Sequence, residues 1–258
     1  MIVLPDFHLQ TTSRSKDTWQ PEVSESAFTA MSFLRDFKPD VTVLLGDFLH
    51  FDLLSRHADE QAPLHRELKR LEHDFILAGK FLDVIDKYTT GEKVFILGNH
   101  DSRLLAYIAE NPHLEGILSW EALNFSKRKN WTIVKQGTIW QYGKASFVHG
   151  WYWNMHHAKK TVMEVGNNIF YGHVHDIQTY SKPNIEQKPI IASSLGCLCD
   201  LNPEYKAGRP NRWVNAFGVF YFLPNGHFTF YVPTIINGVF VWNGKIYTPE
   251  AGEKEVMG

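Results

Sequence analysis

Cysteine is almost absent: Cys197 and Cys199 are the two thiols in 258 residues. Two positions apart in a strand-like run, they point to one face and are poorly placed to bridge each other, so a disulfide scaffold is excluded and buried free thiols are expected. No apolar run approaches the roughly 18 residues that a membrane-spanning helix needs. The apolar start, Met1 to Pro5, is too short for a secretory signal and no basic segment precedes it, so the expected compartment is the cytoplasm, with no membrane partner. A dominant charge sign is missing too. The formal net charge is −2, which excludes polyanion binding by overall charge and leaves local basic patches open. Internal repeats, low-complexity tracts and flexible linkers are lacking, and the length suits a single domain over residues 1–258.

What is present is a layered pattern. Apolar residues make up 44% of the chain, enough for a substantial core. Short apolar runs alternate with amphipathic stretches, which predicts an α/β fold. Strands are expected at Ile2–Leu4, Val41–Leu45, Lys93–Leu97, Trp131–Trp140, Ala145–Val148 and Asn168–Tyr171. Helices are expected at Ser24–Phe37, Pro63–Tyr88, Arg103–Ala109 and Ala158–Glu164. The second helix carries Leu64, Leu68, Leu71, Phe75, Ala78, Leu82 and Ile85 at alternating steps of four and three, a stripe suited to covering a sheet. Beyond residue 175 the chain is β-rich, with runs at Pro189–Ser193, Ala216–Leu223, His227–Val232 and Val239–Tyr247. Pro224-Asn225-Gly226 and Asn243-Gly244 are turn signals, the second a hairpin cue.

Five of these strands end in a polar cluster: Asp6-Phe7-His8, Gly46-Asp47, Gly98-Asn99-His100-Asp101, His149-Gly150 and Gly172-His173-Val174-His175. In open α/β sheets ligands bind at the carboxyl ends of strands, and all five clusters lie on that side. Each has an ordinary explanation by itself. Asp-x-His is common, Gly-Asp is more often a turn than a metal site, and Asn-His-Asp is a serviceable helix cap. Only Gly-His-x-His has moderate specificity. Five in this order leave the ordinary explanations far behind. The mixed carboxylate, amide and imidazole donors suit Mn²⁺, Fe²⁺ or Zn²⁺ better than Ca²⁺ or Cu⁺.

The set resembles the calcineurin-like metallophosphoesterases, whose blocks run D-x-H, G-D, G-N-H-D/E, H and G-H-x-H. The likeness covers Asp6 to His175 with every ligand position filled. It implies a four-layer α/β/β/α sandwich of two mixed β-sheets flanked by helices, the β-rich last third completing it. It further implies two divalent cations, Mn²⁺ first and Fe²⁺ or Zn²⁺ otherwise. By the family pattern Asp6, His8, Asp47 and His175 hold one ion, Asp47, Asn99, His149 and His173 hold the other, and Asp47 bridges. The implied reaction is hydrolysis of a phosphate ester by a metal-bridging hydroxide, with His100 as general acid. One position departs from the pattern. Many members carry an acidic residue three places after the Gly-Asp aspartate, where it orients the catalytic His. Here that residue is His50, which leaves Asp52 or Asp101 for the orienting role. The stretch from Asn202 to Trp213 resembles phage and prophage members.

The substrate is less legible. Arg103 follows the third block, where it either reaches a phosphate or forms a salt bridge. Arg56 and His57 follow the second block and are placed to line a cleft. Arg212, beside Trp213, is a further substrate-binding candidate. Trp151-Tyr152-Trp153 follows His149 and either stacks on a base or packs in the core. Lys127-Arg128-Lys129, Lys159-Lys160 and Arg209 are basic clusters for which a solvated surface is the commoner role. With no long insertion to form a cap, a phosphodiester, a nucleotide or a nucleic-acid end is the expected substrate. The alternatives are a phosphomonoesterase, including a phosphoprotein phosphatase, a mononuclear metal hydrolase, and a non-catalytic scaffold.

Overall fold

The consecutive apolar residues Ile2–Leu4 form β1, the strand on which the larger sheet is built. The structure is a computed structural model and describes residues 1–13, 15, 18–55, 70–185, 188–203, 206 and 208–258. Strands follow in chain order as β2 (Gln10–Ser13), β3 (Trp19–Glu22), β4 (Val41–Leu44), β5 (Glu92–Ile96), β6 (Trp131–Val134), β7 (Trp140–Tyr142) and β8 (Ala145–Val148). The rest are β9 (Ile169–Tyr171), β10 (Thr179–Lys182), β11 (Ile190–Ser194), β12 (Gly218–Phe222), β13 (Phe228–Tyr231), β14 (Phe240–Trp242) and β15 (Lys245–Tyr247). The helices are α1 (Glu25–Phe37), α2 (Leu71–Tyr88), α3 (Ser102–Glu110), α4 (His157–Val165) and α5 (Pro249–Met257). The fold is therefore mixed α/β, as the alternating pattern predicts.

The larger sheet has the order β13-β12-β1-β4-β5-β6, and the second has the order β10-β11-β9-β8-β7. β1, β4, β5 and β6 run parallel, in register Val3 to Val43 to Val94 to Thr132, and β12 and β13 add antiparallel. β8, β9 and β11 are parallel, with β7 and β10 antiparallel at the edges. Successive side chains of a strand face opposite ways, and the core divides accordingly. Val3, Val43, Val94 and Ile96 join Phe147 and Phe170 of the second sheet in one apolar cluster. Ile2, Leu4, Leu44 and Phe95 join Phe28, Phe33, Leu77 and Phe81 of the helices in another. Val148, Ile169 and Tyr171 pack with Val162 of α4 in a third. Each fully buried aliphatic or phenyl group contributes about 1.5–3 kcal/mol of transfer free energy.

Local signals explain the boundaries. Ser24 caps α1 by accepting the Ala27 N–H at 3.1 Å, and the helix ends at Lys38 in the left-handed region. Of the predicted Pro63–Tyr88 helix, Leu71–Tyr88 is seen and residues 63–69 lie outside the described residues. Asn243 and Gly244 turn the predicted Val239–Tyr247 run into the β14–β15 hairpin. One expectation fails: Trp131–Trp140 is two strands. The turn Lys135–Thr138, closed by the Thr138 N–H on the Lys135 carbonyl with Gly137 at φ 75°, sends β6 into the larger sheet and β7 into the second. The β2–β3 hairpin, β10 and α5 lie where the sequence pattern predicts no element. α5 rests on α1, where Gly252 passes so close to the Phe28 carbonyl that a Cβ would collide with it. No helix among the described residues is long and apolar enough to cross a membrane.

Candidate metal centre

The parallel strands β1, β4 and β5 of one sheet and β8 and β9 of the other deliver their carboxyl ends to one place. Backbone bonds stitch these ends together. The Asp6 N–H donates to the Gly46 carbonyl at 3.1 Å, the His8 N–H to the Asp47 carbonyl at 2.9 Å, and the Gly172 N–H to the His149 carbonyl at 2.9 Å. The join between sheets is made by side chains. His149 Nδ1–H donates to the Leu45 carbonyl at 2.9 Å. The His173 N–H reaches both oxygens of Asp6, at 3.1 and 3.0 Å.

The backbone is bent at the predicted ligands themselves. Asp6, His8, Asp47, His173 and His175 all have φ between 47° and 68°. Left-handed conformations at non-glycine residues are uncommon and cost of order 1–3 kcal/mol when sparsely populated. Five of the seven predicted ligands therefore occupy strained backbone, which turns consecutive side chains toward a common point. The glycines of the motifs act by close approach. A Cβ on Gly98 would strike the Asp47 carboxylate and a Cβ on Gly172 would strike Asp6 Oδ2.

All seven predicted ligands meet here, and around His8 the clustered donors also include His50, His100 and Cys199. Two of the overlapping groups match the two expected sites. In the first, donor atoms of Asp6, His8 and Asp47 lie within 4.8 Å of one another. His175 Nε2 is 3.2 Å from Asp6 Oδ1 and 3.2 Å from His8 Nε2. In the second, donors of Asp47, His149 and His173 lie within 4.8 Å of one another. Asn99 Oδ1 sits 3.1 Å from His149 Nε2, and Asp47 Oδ2 sits 3.2 Å from the same nitrogen. Asp47 alone belongs to both groups, and its Oδ1 accepts the His100 N–H at 2.8 Å. These His/Asp clusters can hold a metal ion. Buried imidazoles and carboxylates packed around shared donor atoms are the arrangement expected of ligands.

The charges are displaced as such crowding demands. Asp47 is buried, yet the His149 imidazolium beside it holds its carboxyl well below the usual range. Burial opposes the charge on His149, but Asp47 outweighs it and pushes the imidazole up to about 10. His175 is raised against its burial by Asp6. Burial lowers His8 and His173, reinforced by neighbouring imidazoles.

His100 stands beside these clusters, its ring 4.5 Å from that of His8. Its Nδ1–H donates to the His50 carbonyl at 2.8 Å, and Arg103 Nη2 donates to its Nε2 at 3.2 Å. Burial lowers it to about 4, with His50 and Arg103 adding to the effect and the Asp47 carboxylate opposing it. The expectation that Asp101 orients His100 needs correction. Asp101 Oδ1 accepts the Phe48 and Leu49 N–H groups at 3.1 and 3.2 Å, and its Oδ2 accepts the Gly98 N–H at 2.8 Å. It braces the two loops that carry Asp47 and Asn99. Burial and the nearby Asp47 raise its carboxyl to about 7. Asp52 reaches His50 Nε2 at 2.9 Å and Arg103 Nη1 at 3.7 Å, so it acts on neighbours of His100.

The substrate candidates separate. Arg103 is at the centre, donating also to the His50 carbonyl at 3.0 Å. Arg212 is exposed, and it is the adjacent Trp213 that touches the site, its ring 4.2 Å from His175. His57 and Arg56 lie outside the described residues. Trp151 packs on the β8–β9 apolar cluster, whereas Trp153 is 77% exposed with its ring 6.2 Å from His173. Arg128 is structural, paired with Asp83 and Asp86. Both cysteines are free and buried, and Cys199 Sγ lies 3.7 Å from His175 Nδ1. Trp213 and Cys199 are contacts that no motif announced. A cleft of about 1210 Å³ opens beside His8, His50 and Trp213. No protein-family model matches this sequence, and no curated protein matches it.

Proposed function

We propose that this chain hydrolyses phosphate esters with two divalent cations, in the manner of the calcineurin-like metallophosphoesterases. The observation that carries the proposal is the membership of Asp47 in two adjoining ligand groups, because a carboxylate offers one oxygen to each of two ions. Asp6, His8, Asp47 and His175 would hold one cation, and Asp47, Asn99, His149 and His173 the other. Mn²⁺ is the first choice for this donor set, with Fe²⁺ or Zn²⁺ as substitutes. When bound, the pair supplies positive charge for the phosphoryl oxygens and acidifies water enough to make it a nucleophile near neutral pH.

The chain's own groups do the rest. Arg103 offers a guanidinium to a phosphoryl oxygen. Its present bond to His100 Nε2 then passes to the anion, and the anion favours a proton on that nitrogen. His100 Nδ1 stays fixed on the His50 carbonyl, so Nε2 is the atom that gives its proton to the departing oxygen. General acids of this kind contribute about 10²–10⁴-fold. The three apolar clusters support the finer reading of the fold as four layers, α/β/β/α.

A phosphodiester or nucleotide is the favoured substrate. Trp153 presents an exposed face for a base next to His173. The cleft on the His8 and His50 side, which Arg103 and Trp153 do not line, carries Glu22, Glu25, Asp52 and Asp200 and no Lys or Arg among its described lining residues, which disfavours a polyanionic strand along that side. The test is a panel of p-nitrophenyl phosphate, its bis ester and a 2′,3′-cyclic nucleotide with added Mn²⁺. The bis ester and cyclic nucleotide are expected to turn over, and Asp47→Asn to abolish turnover. A panel silent with Mn²⁺, Fe²⁺ and Zn²⁺ alike refutes the proposal. Turnover of phosphomonoesters alone moves the reading to a monoesterase.

A further inference from the structure

We propose that Asp52 and His50 form a hydrogen-bonded relay that sets the tautomer of His8, which makes His50 a positioning residue for the metal centre. This rests on the reading of His8 as a ligand and adds a device that the strand-end motifs do not contain.

The polarity of the relay follows from donor and acceptor chemistry. An ionised carboxylate only accepts. Asp52 Oδ1 lies 2.9 Å from His50 Nε2, so that nitrogen carries the hydrogen. The two Nδ1 atoms of His50 and His8 face each other and can share only one hydrogen, and with Nε2 as the donor toward Asp52 the acceptor of that pair is His50 Nδ1. His8 Nδ1 is 3.0 Å away and must therefore donate. The remaining nitrogen of His8, Nε2, is left bare. That is the nitrogen facing the cluster, 3.7 Å from Asp47 Oδ2 and 3.2 Å from His175 Nε2. His50 is only 6% exposed, so water competes poorly for its ring. The same residue receives His100 Nδ1–H and Arg103 Nη1–H on its carbonyl. One position thus controls His8 through its side chain and His100 through its backbone. An acidic residue at position 50 would offer no ring nitrogen through which Asp52 acts on His8, which gives a physical reason for histidine there. Partners behind ligating imidazoles typically matter by 10–100-fold in metal affinity.

The test combines spectroscopy of the metal-free protein with Mn²⁺ titration followed by electron paramagnetic resonance. Long-range ¹H–¹⁵N spectra are expected to show His8 protonated at Nδ1 and His50 at Nε2. In Asp52→Asn the side-chain amide can donate to His50 Nε2, which reverses the relay and moves the His8 proton to Nε2. Mn²⁺ affinity should then drop about 10–100-fold. His50→Leu removes the acceptor and should weaken binding similarly. His50→Asn places an amide oxygen near the lost Nδ1 and should stay within about threefold of wild type, an expected rescue that a purely structural role for the imidazole would not produce. All three keep the backbone carbonyl that holds His100. The relay is overturned if His8 carries its proton on Nε2, if His50 is protonated on both nitrogens, or if Asp52→Asn and His50→Leu bind Mn²⁺ as tightly as wild type. Failure of the wild-type protein itself to bind Mn²⁺ overturns the metal centre and the relay together.

Discussion

Metal binding at this centre should expel protons, and the number can be worked from the geometry. Without metal, His149 Nε2 faces two acceptors, Asp47 Oδ2 at 3.2 Å and Asn99 Oδ1 at 3.1 Å. Only a hydrogen on that nitrogen satisfies them, while Nδ1–H is committed to the Leu45 carbonyl. Burial works against the imidazolium, but Asp47 dominates and the group titrates at about 10. At pH 7 it is therefore protonated. His175 is raised in the same sense, its burial outweighed by Asp6. His8, His100 and His173 are lowered by burial and by neighbouring imidazoles or Arg103, so they are already neutral. A cation needs the bare nitrogen. Binding at pH 7 should release about one proton from His149 and up to about one more from His175, so Mn²⁺ affinity should rise about tenfold per pH unit for each proton released. Calorimetric titration in buffers of different ionisation heat reads this number as a slope. The folded pKa of His149 lies above its unfolded value, so its contribution to metal-free stability is full below about 6.5 and lost as pH rises toward about 10. A zero slope, or affinity flat between pH 7 and 9, would show that Asp47 and His149 do not share a proton at a metal position.

Three other perturbations test the structure. Gly98→Ala places a methyl against the Asp47 carboxylate; it should cost about 1–3 kcal/mol in denaturant unfolding and weaken Mn²⁺ binding, and unchanged values for both would mean the loop relaxes freely. Gly252→Ala should gain up to about 1 kcal/mol of helix propensity, yet the collision with the Phe28 carbonyl makes net destabilisation the expected result; a raised melting temperature would contradict the α1–α5 contact. Asp86 receives Lys93 Nζ at 2.7 Å, Trp131 Nε1 at 2.8 Å and Arg128. Burial opposes its charge, but these partners hold its carboxyl below the usual value. Its contribution is therefore present above about pH 4 and lost as pH falls through the lowered value. Asp86→Asn should cost about 1–3 kcal/mol near pH 7 and less in acid, and an equal loss at both would exclude the ion pairs as the cause.

How far the sequence could be read depended on whether a signal was local. The apolar runs of β1, β4 and β5 were visible because strands buried on both faces are continuous in apolar residues. α1 was legible because Ala27, Met31 and Leu34 recur at helical spacing, a signal carried by the segment itself. The Trp131–Trp140 run misled because strand propensity continues through both halves, while the assignment of each half to a different sheet is decided by partners elsewhere. α5, Pro-Glu-Ala-Gly-Glu-Lys-Glu-Val-Met, shows little apolar stripe because it meets α1 through Gly252 and hydrogen bonds. Ser32 Oγ accepts the Gly252 N–H at 2.7 Å and donates to the Thr248 carbonyl at 2.7 Å. No periodicity marks a contact of that kind.

At the centre itself, the sequence alone determined which side chains stand at the carboxyl ends of five strands, because strand limits and polar terminal residues are neighbours along the chain. Tertiary structure decided the rest: that Asp47 is shared by two groups, that Asp101 braces loops while the His50 carbonyl orients His100, and that Trp213 and Cys199 back His175. Those are relations between segments as much as 167 residues apart, and a hydrogen bond or shared donor exists only once packing has brought such segments within a few ångströms.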